Sequence, residues 1–124
     1  MTRVLLVENE VRALRVMNKV LSRHGYEVRI ATNAQDAVTI GQTFTPHVLL
    51  TDWLLEDGHD GLYVAATLRT LDPHLALVLF SGFAIDALQQ AASHLGPCVF
   101  LEKPFGMHAL ESALMCALQH VNRP

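Results

Sequence analysis

VLLTDWLLEDGHDGL, residues 48–62, opens on three branched apolar residues, reaches an acid at Asp52 and ends in a polar loop carrying two glycines. The apolar run is too short for a helix and reads as a buried strand with Asp52 at its carboxyl end. The same grammar recurs three times along the chain. Residues 4–7 lead into Glu8, Asn9 and Glu10; residues 75–80 lead into Ser81; residues 98–101 lead into Glu102, Lys103 and Pro104. Residues 26–31 instead alternate, with Tyr26, Val28 and Ile30 on one face and Glu27 and Arg29 on the other, the pattern of a half-exposed edge strand.

Between these runs the apolar spacing changes to the helical period. Val11, Leu14, Met17, Val20 and Leu21 form one stripe, and Leu110, Leu114, Ala117, Leu118 and Val121 form another. Asn33 is suited to open a helix, and Gly25 and Gly96 to close one. Residues 84–95 read as a helix rich in alanine that leaves a rather apolar exposed surface. Strand and helix therefore alternate five times. Right-handed crossovers turn that order into an α/β fold, a doubly wound five-stranded parallel sheet with five helices on its two faces. In such a sheet functional groups collect at the carboxyl ends of the strands, near the switch point.

The chain has 124 residues, 51% hydrophobic and 17% charged, with nine Lys and Arg against twelve Asp and Glu. That is the size of one domain, too apolar and too weakly charged for intrinsic disorder. No apolar run approaches the roughly 18 residues of a membrane span, and no secretory pattern opens the chain, which predicts a cytoplasmic protein without membrane contact. The absence of a basic run argues against direct nucleic-acid binding. Cys98 and Cys116 fit neither a zinc site nor a disulfide framework and read as small buried apolar residues. The seven histidines show no ligand spacing, and only His59 falls near the strand-end acids.

The strand ends bring together Glu8, Asn9, Glu10, Asp52, Ser81 and Lys103. Carboxylates and an amide are hard oxygen donors of the kind magnesium takes. Asp52 is placed to act as a nucleophile toward phosphorus, with magnesium and Lys103 neutralising phosphoryl oxygens and Ser81 donating a hydrogen bond to one. Singly these residues are ordinary: an acid at a strand end caps a helix, a serine before glycine makes a turn, and Glu8 to Glu10 suit a helix N-terminus. Their company gives them weight.

The segments VLLVENE, LLTDWLLEDGHDGL, VLFSGF and FLEKPF, in this order, resemble the receiver domain of two-component response regulators over essentially the whole chain. The resemblance implies the strand order 2-1-3-4-5 and phosphoryl transfer to Asp52 from a phosphohistidine. The donor is a sensor histidine kinase or a phosphotransfer protein. It implies a magnesium ion, with manganese as a substitute, held by Glu8, Asn9, Asp52 and the Leu54 backbone carbonyl. Ser81 is then the hydroxyl switch residue, Phe100 the aromatic switch position and Lys103 the lysine of the site, in a Lys103–Pro104 peptide of a kind commonly cis. The resemblance further implies an autocatalytic phosphoacceptor rather than a turnover enzyme. Its output is contact with a downstream protein, or homodimerisation, through the face of the fourth helix, fifth strand and fifth helix. With 124 residues the chain reads as a single domain without an output domain.

Departures from the family pattern sharpen the expectations. Asn9 stands where a carboxylate usually binds the metal, which predicts weaker magnesium affinity, with Glu10, Glu56 or Asp57 as compensating charges. It also motivates an alternative, an interaction module of the same fold that works without phosphate. Leu54 and Phe83, at positions flanking the acyl phosphate, are apolar and predict a shielded, slowly hydrolysed aspartyl phosphate. Trp53 and Phe83 are expected to pack near the pocket. A phosphatase of the haloacid dehalogenase type is disfavoured, because Leu54 replaces its second aspartate and Asp52 ends the third strand rather than the first.

Overall fold

The computed structural model describes residues 1–56 and 58–121, with the Val121 side chain left out of the description. The chain runs β1 (Arg3–Val7), α1 (Val11–Arg23), β2 (Glu27–Ala31), α2 (Ala34–Phe44), β3 (Val48–Asp52), α3 (Gly61–Leu71), β4 (Ala76–Ser81), α4 (Ile85–Ala91), β5 (Val99–Glu102) and α5 (Met107–Val121), with a 3-10 turn at Ser93–Leu95 after α4. All strands are parallel, in the order β2-β1-β3-β4-β5. The fold expected from the sequence is the one observed. The order reverses between β1 and β3, so the crevice beyond their carboxyl ends is the switch point.

Alternation along the buried strands divides the core in two. Leu5, Val7, Leu49, Leu77 and Leu79 pack against Leu62, Leu68 and Leu88 of α3 and α4. Val4, Leu6, Leu50, Val78 and Phe80 pack against Leu14, Met17 and Leu21 of α1 and Leu110 and Leu114 of α5. Each fully buried Leu or Phe is worth roughly 1.5–3 kcal/mol, so these two layers fix the sheet on which the loops stand.

The helix starts have identifiable causes. Glu10 caps α1 by accepting from the Arg12 and Ala13 N–H groups, Asn33 caps α2 through the Asp36 N–H, and Asp60 caps α3 through the Tyr63 N–H. Gly25, at φ 88°, lets the chain turn directly from α1 into β2.

Several expectations are corrected. Residues 98–101 read as buried, but β5, at the edge of the expected strand order, is only half-buried, because among the described residues no strand pairs with its outer side. Ile30 and Val11, placed on inner faces, are 43% and 51% exposed. Val11 opens α1, and Ile30 lines an open groove along the β2 edge. The helix expected over residues 84–95 is one of seven residues followed by the 3-10 turn, and Ala84 offers it no side-chain cap. Its exposed positions include Asp86, Gln89, Gln90, Ser93 and His94, so its outer surface is more polar than expected. Cys98 is half-buried and Cys116 is exposed, since Cys116 falls off the α5 stripe of Leu110, Leu114 and Ala117 that faces the sheet. Among the described residues no helix is long and apolar enough to cross a membrane.

Candidate functional site

Each central strand hands over one polar residue as it leaves the core. Glu8 follows β1 and is fully buried, Asp52 ends β3 at 8% exposure, and Ser81 ends β4, also buried. Lys103 follows β5 and reaches back across the crevice. Its Nζ donates to Asp52 Oδ2 at 2.8 Å and to both Glu8 carboxylate oxygens at 3.0 and 3.2 Å. One ammonium thus serves two carboxylates from different strands, a charge-assisted arrangement stronger than neutral hydrogen bonds.

The backbone holds these groups in register. The Lys103 N–H donates to the Ser81 carbonyl at 2.8 Å, the Trp53 N–H to the Phe80 carbonyl at 2.8 Å, and the Gly61 N–H to the Trp53 carbonyl at 2.7 Å. The Ser81 hydroxyl accepts from the Phe83 N–H at 2.9 Å, which leaves its proton to donate elsewhere. The Lys103–Pro104 peptide is cis, as the resemblance implies. Phe100 lies half-buried on β5, against the core under α3 and α4.

Burial first, then the hydrogen bond to and charge of Asp52, push the Glu8 carboxyl up to about 7, against the lowering influence of Lys103. Burial works against the Lys103 charge, but the hydrogen bonds to and charges of Asp52 and Glu8 outweigh it and raise that pKa above the ordinary value. A carboxyl with a native pKa raised from 4.5 to about 7 keeps a proton that the unfolded chain has lost at intermediate pH. Its contribution is therefore fully present below about pH 4.5 and falls away as pH rises toward 7, by an amount on the order of 3 kcal/mol. Urea unfolding at pH about 5 and about 8 should show this fall, and Glu8→Gln should flatten it. A fall of the same size in the Gln variant would assign it to another group.

The other expected site residues separate. Asn9 is half-buried beside Glu8. Glu10 is committed to capping α1, and the N–H groups of Ala13 and Arg12 hold its carboxyl below the usual range. Glu56 is exposed, and Asp57 lies outside the described residues. Leu54 and Phe83 are 44% and 62% exposed. The Phe83 side chain is therefore largely unpacked although its backbone adjoins Ser81, whereas Trp53 packs against the core. His59 stacks on Tyr63 with ring centroids 3.9 Å apart.

Two participants escaped sequence reasoning. Thr51 is fully buried and donates its hydroxyl to the Asp52 carbonyl at 2.9 Å. Gly61 lies so close that a Cβ there would stand 2.0 Å from the Asp52 carbonyl oxygen. The available signals were a hydroxyl inside an otherwise apolar strand and a glycine directly after a capping aspartate.

The oxygen-only donor set of Glu8, Asn9 and Asp52 suits a magnesium ion, with two carboxylates and an amide in place of three carboxylates. Among the described residues no group of three or more His, Cys, Asp and Glu side chains is placed to hold a metal by itself.

The response regulator receiver domain model matches residues 4–115. Similar curated proteins include the photosynthetic apparatus regulatory protein RegA of Cereibacter sphaeroides, 29% identical over 112 residues that span 90% of this chain and 60% of RegA. The response regulator receiver protein CpdR of Brucella abortus is 31% identical over 110 residues, 89% of this chain and 91% of CpdR. This chain thus spans nearly all of CpdR but only about 60% of the RegA proteins. A CheY-like receiver domain structure from Methanospirillum hungatei superimposes with a TM-score of 0.90 at 21% identity, covering 98% of this chain and 96% of that one. A receiver protein structure from Sinorhizobium medicae gives 0.87 at 26% identity, covering 98% and 97%. Fold, strand-end acids, cross-crevice lysine and a family match over residues 4–115 agree: the chain belongs to the response regulator receiver domains of two-component signalling.

Proposed function

We propose that the chain accepts a phosphoryl group on Asp52 from the phosphohistidine of a sensor kinase or phosphotransfer protein. The observation that carries this reading is the Asp52 carboxylate held 2.8 Å from the Lys103 ammonium at the switch point, with Glu8 buried behind both. Asp52 Oδ2 is engaged by Lys103, and the other carboxylate oxygen is the one to attack phosphorus. A bond forms from that oxygen to phosphorus as the bond from phosphorus to the donor imidazole nitrogen breaks, and the imidazole leaves. The Lys103 ammonium already stands where negative charge accumulates on the phosphoryl oxygens, so little reorganisation is needed. Ser81 donates its hydroxyl proton to one of those oxygens.

Glu8, Asn9, Asp52 and the Leu54 carbonyl would hold magnesium, which would supply further neutralisation of phosphoryl charge. The single missing carboxylate, at Asn9, weakens that affinity. Drawing Ser81 toward the phosphoryl group opens space beside β4 and β5, and Phe100 turns into it. The surface of α4, β5 and α5 is then the one read by a downstream protein. Exposed Met115 and Cys116 lie on α5.

The test is the intact mass of the chain after incubation with acetyl phosphate, with and without magnesium. A phosphoryl adduct that needs magnesium and disappears in Asp52→Asn is expected. No adduct at any magnesium concentration would overturn the reading and favour the phosphate-independent interaction module, with Asn9 as the cause.

A further inference from the structure

The free edge of β2 is the most specific unassigned surface of the molecule. Arg3, Asn18, Glu27, Ile30, Ile40 and Phe44 are among the residues lining an open groove of about 890 Å³ along it, so α1 and α2, packed on the two faces of β2, leave its outer edge open. Among the described residues no strand pairs with its outer side. The Glu27 N–H donates to the Thr2 carbonyl and the Ala31 carbonyl accepts from the Glu8 N–H, so residues 27, 29 and 31 direct their peptide groups toward β1. The intervening Val28 and Ile30 therefore direct theirs outward.

We infer that a second copy of this chain pairs antiparallel along β2, about a two-fold axis at Val28, to make a continuous ten-stranded sheet. An isologous contact must be self-complementary, and this strand is. With the axis at Val28, the N–H and carbonyl of Val28 exchange two hydrogen bonds with Val28 of the second copy. The Ile30 N–H, opposite Tyr26 of the second copy, donates to its carbonyl, and the reciprocal bond follows by symmetry. The Tyr26 N–H is not required, being already given to the Leu21 carbonyl.

The same register sets Glu27 opposite Arg29 of the second copy, twice. These fall at non-hydrogen-bonded positions, where opposed side chains are closest. Among the described residues neither Glu27 nor Arg29 is in an ion pair within the chain. Arg29 is held over the Phe44 ring, 5.4 Å from its centroid, on the same face of the sheet as Glu27. Side chains 26, 28 and 30 meet on the other face, which pairs half-buried Tyr26 with exposed Ile30 of the second copy. Charges on an edge strand ordinarily repel other strands. Here a foreign apolar strand would desolvate both charges unpaired, whereas a second copy pairs both. Antiparallel pairing sends the two crevices to opposite ends of the sheet and leaves α4, β5 and α5 free, so it is compatible with phosphoryl transfer and independent of it.

Sedimentation velocity across a concentration series tests the inference, with circular dichroism to confirm that each variant folds. The unmodified chain should show a monomer–dimer equilibrium. Glu27→Arg and Arg29→Glu should each weaken it about tenfold or more, because two attractive pairs become two repulsive ones. The double reversal should restore it. A chain that stays monomeric throughout, a dimer indifferent to both single reversals, or a double reversal that fails to restore association would each overturn the inference.

Discussion

Gly61→Ala is expected to lose about 3 kcal/mol of stability or more, and to lower phosphoryl acceptance at Asp52 in the surviving folded fraction. A methyl group at this position would stand 2.0 Å from the Asp52 carbonyl oxygen, 3.0 Å from Thr51 Oγ1 and 3.1 Å from the Asp52 carbonyl carbon. Two of those three atoms are backbone, and the third is held by its own hydrogen bond to the Asp52 carbonyl, so none can swing aside. The remaining way out is to move α3 away from the end of β3, which strains the 2.7 Å Gly61 to Trp53 hydrogen bond and the Asp60 cap. Two other glycines calibrate the effect. A Cβ at Gly41 would approach Leu68 Cδ1 and Cδ2 at 2.7 Å, but those are the mobile ends of a side chain. Alanine there also gains about 1 kcal/mol of helix propensity, so Gly41→Ala should be close to neutral. A Cβ at Gly82 would meet nothing within 4 Å, and Gly82→Ala should change stability by less than about 0.5 kcal/mol. Chemical denaturation of the three variants gives the order; equal losses at Gly61 and Gly82 would remove close approach as the reason for Gly61.

That series also shows what a sequence can and cannot carry. Four strands were legible as unbroken apolar runs and β2 as an alternating one, and the residue that ends each apolar run falls where the fold places chemistry. Asp52, Ser81, Glu8 and Lys103 could therefore be gathered from position, together with Asn9, Glu10 and Glu102, and the structure brings Lys103 into contact with both the Asp52 and the Glu8 carboxylates. Gly61 was visible only as part of a turn, since its need for glycine comes from the carbonyl of Asp52, on a different element of the fold. β5 reads as buried because Val99, Phe100 and Leu101 are as apolar as any inner strand. Its place at the end of the order 2-1-3-4-5 leaves it half covered. Phe83 and Cys116 were misplaced for a related reason: an apolar residue does not say whether a neighbouring layer extends far enough to cover it.

Lys103→Met should cost stability in a strongly pH-dependent way. The change keeps much of the side-chain volume and removes the ammonium, leaving Glu8, fully buried, and Asp52, with its side chain 11% exposed, facing each other without a cation. Removing one partner of a buried ion pair typically costs about 3–5 kcal/mol, and the partial exposure of Lys103 places this case near the lower end. The molecule has one escape, which is to keep a proton on Glu8. Its carboxyl already titrates at about 7 with the ammonium present; without it, the lowering influence disappears and the pKa rises further. The loss should therefore be largest near pH about 8 and should shrink toward pH about 5, where Glu8 is neutral in either protein. Adding Glu8→Gln to Lys103→Met removes the stranded charge and should recover part of the loss at high pH. The double-mutant coupling should then be large at pH about 8 and small at pH about 5. A Lys103→Met loss that is the same at both values would mean that Lys103 contributes by packing against Phe80, 5.2 Å from its ring centroid, rather than by holding two carboxylates in place.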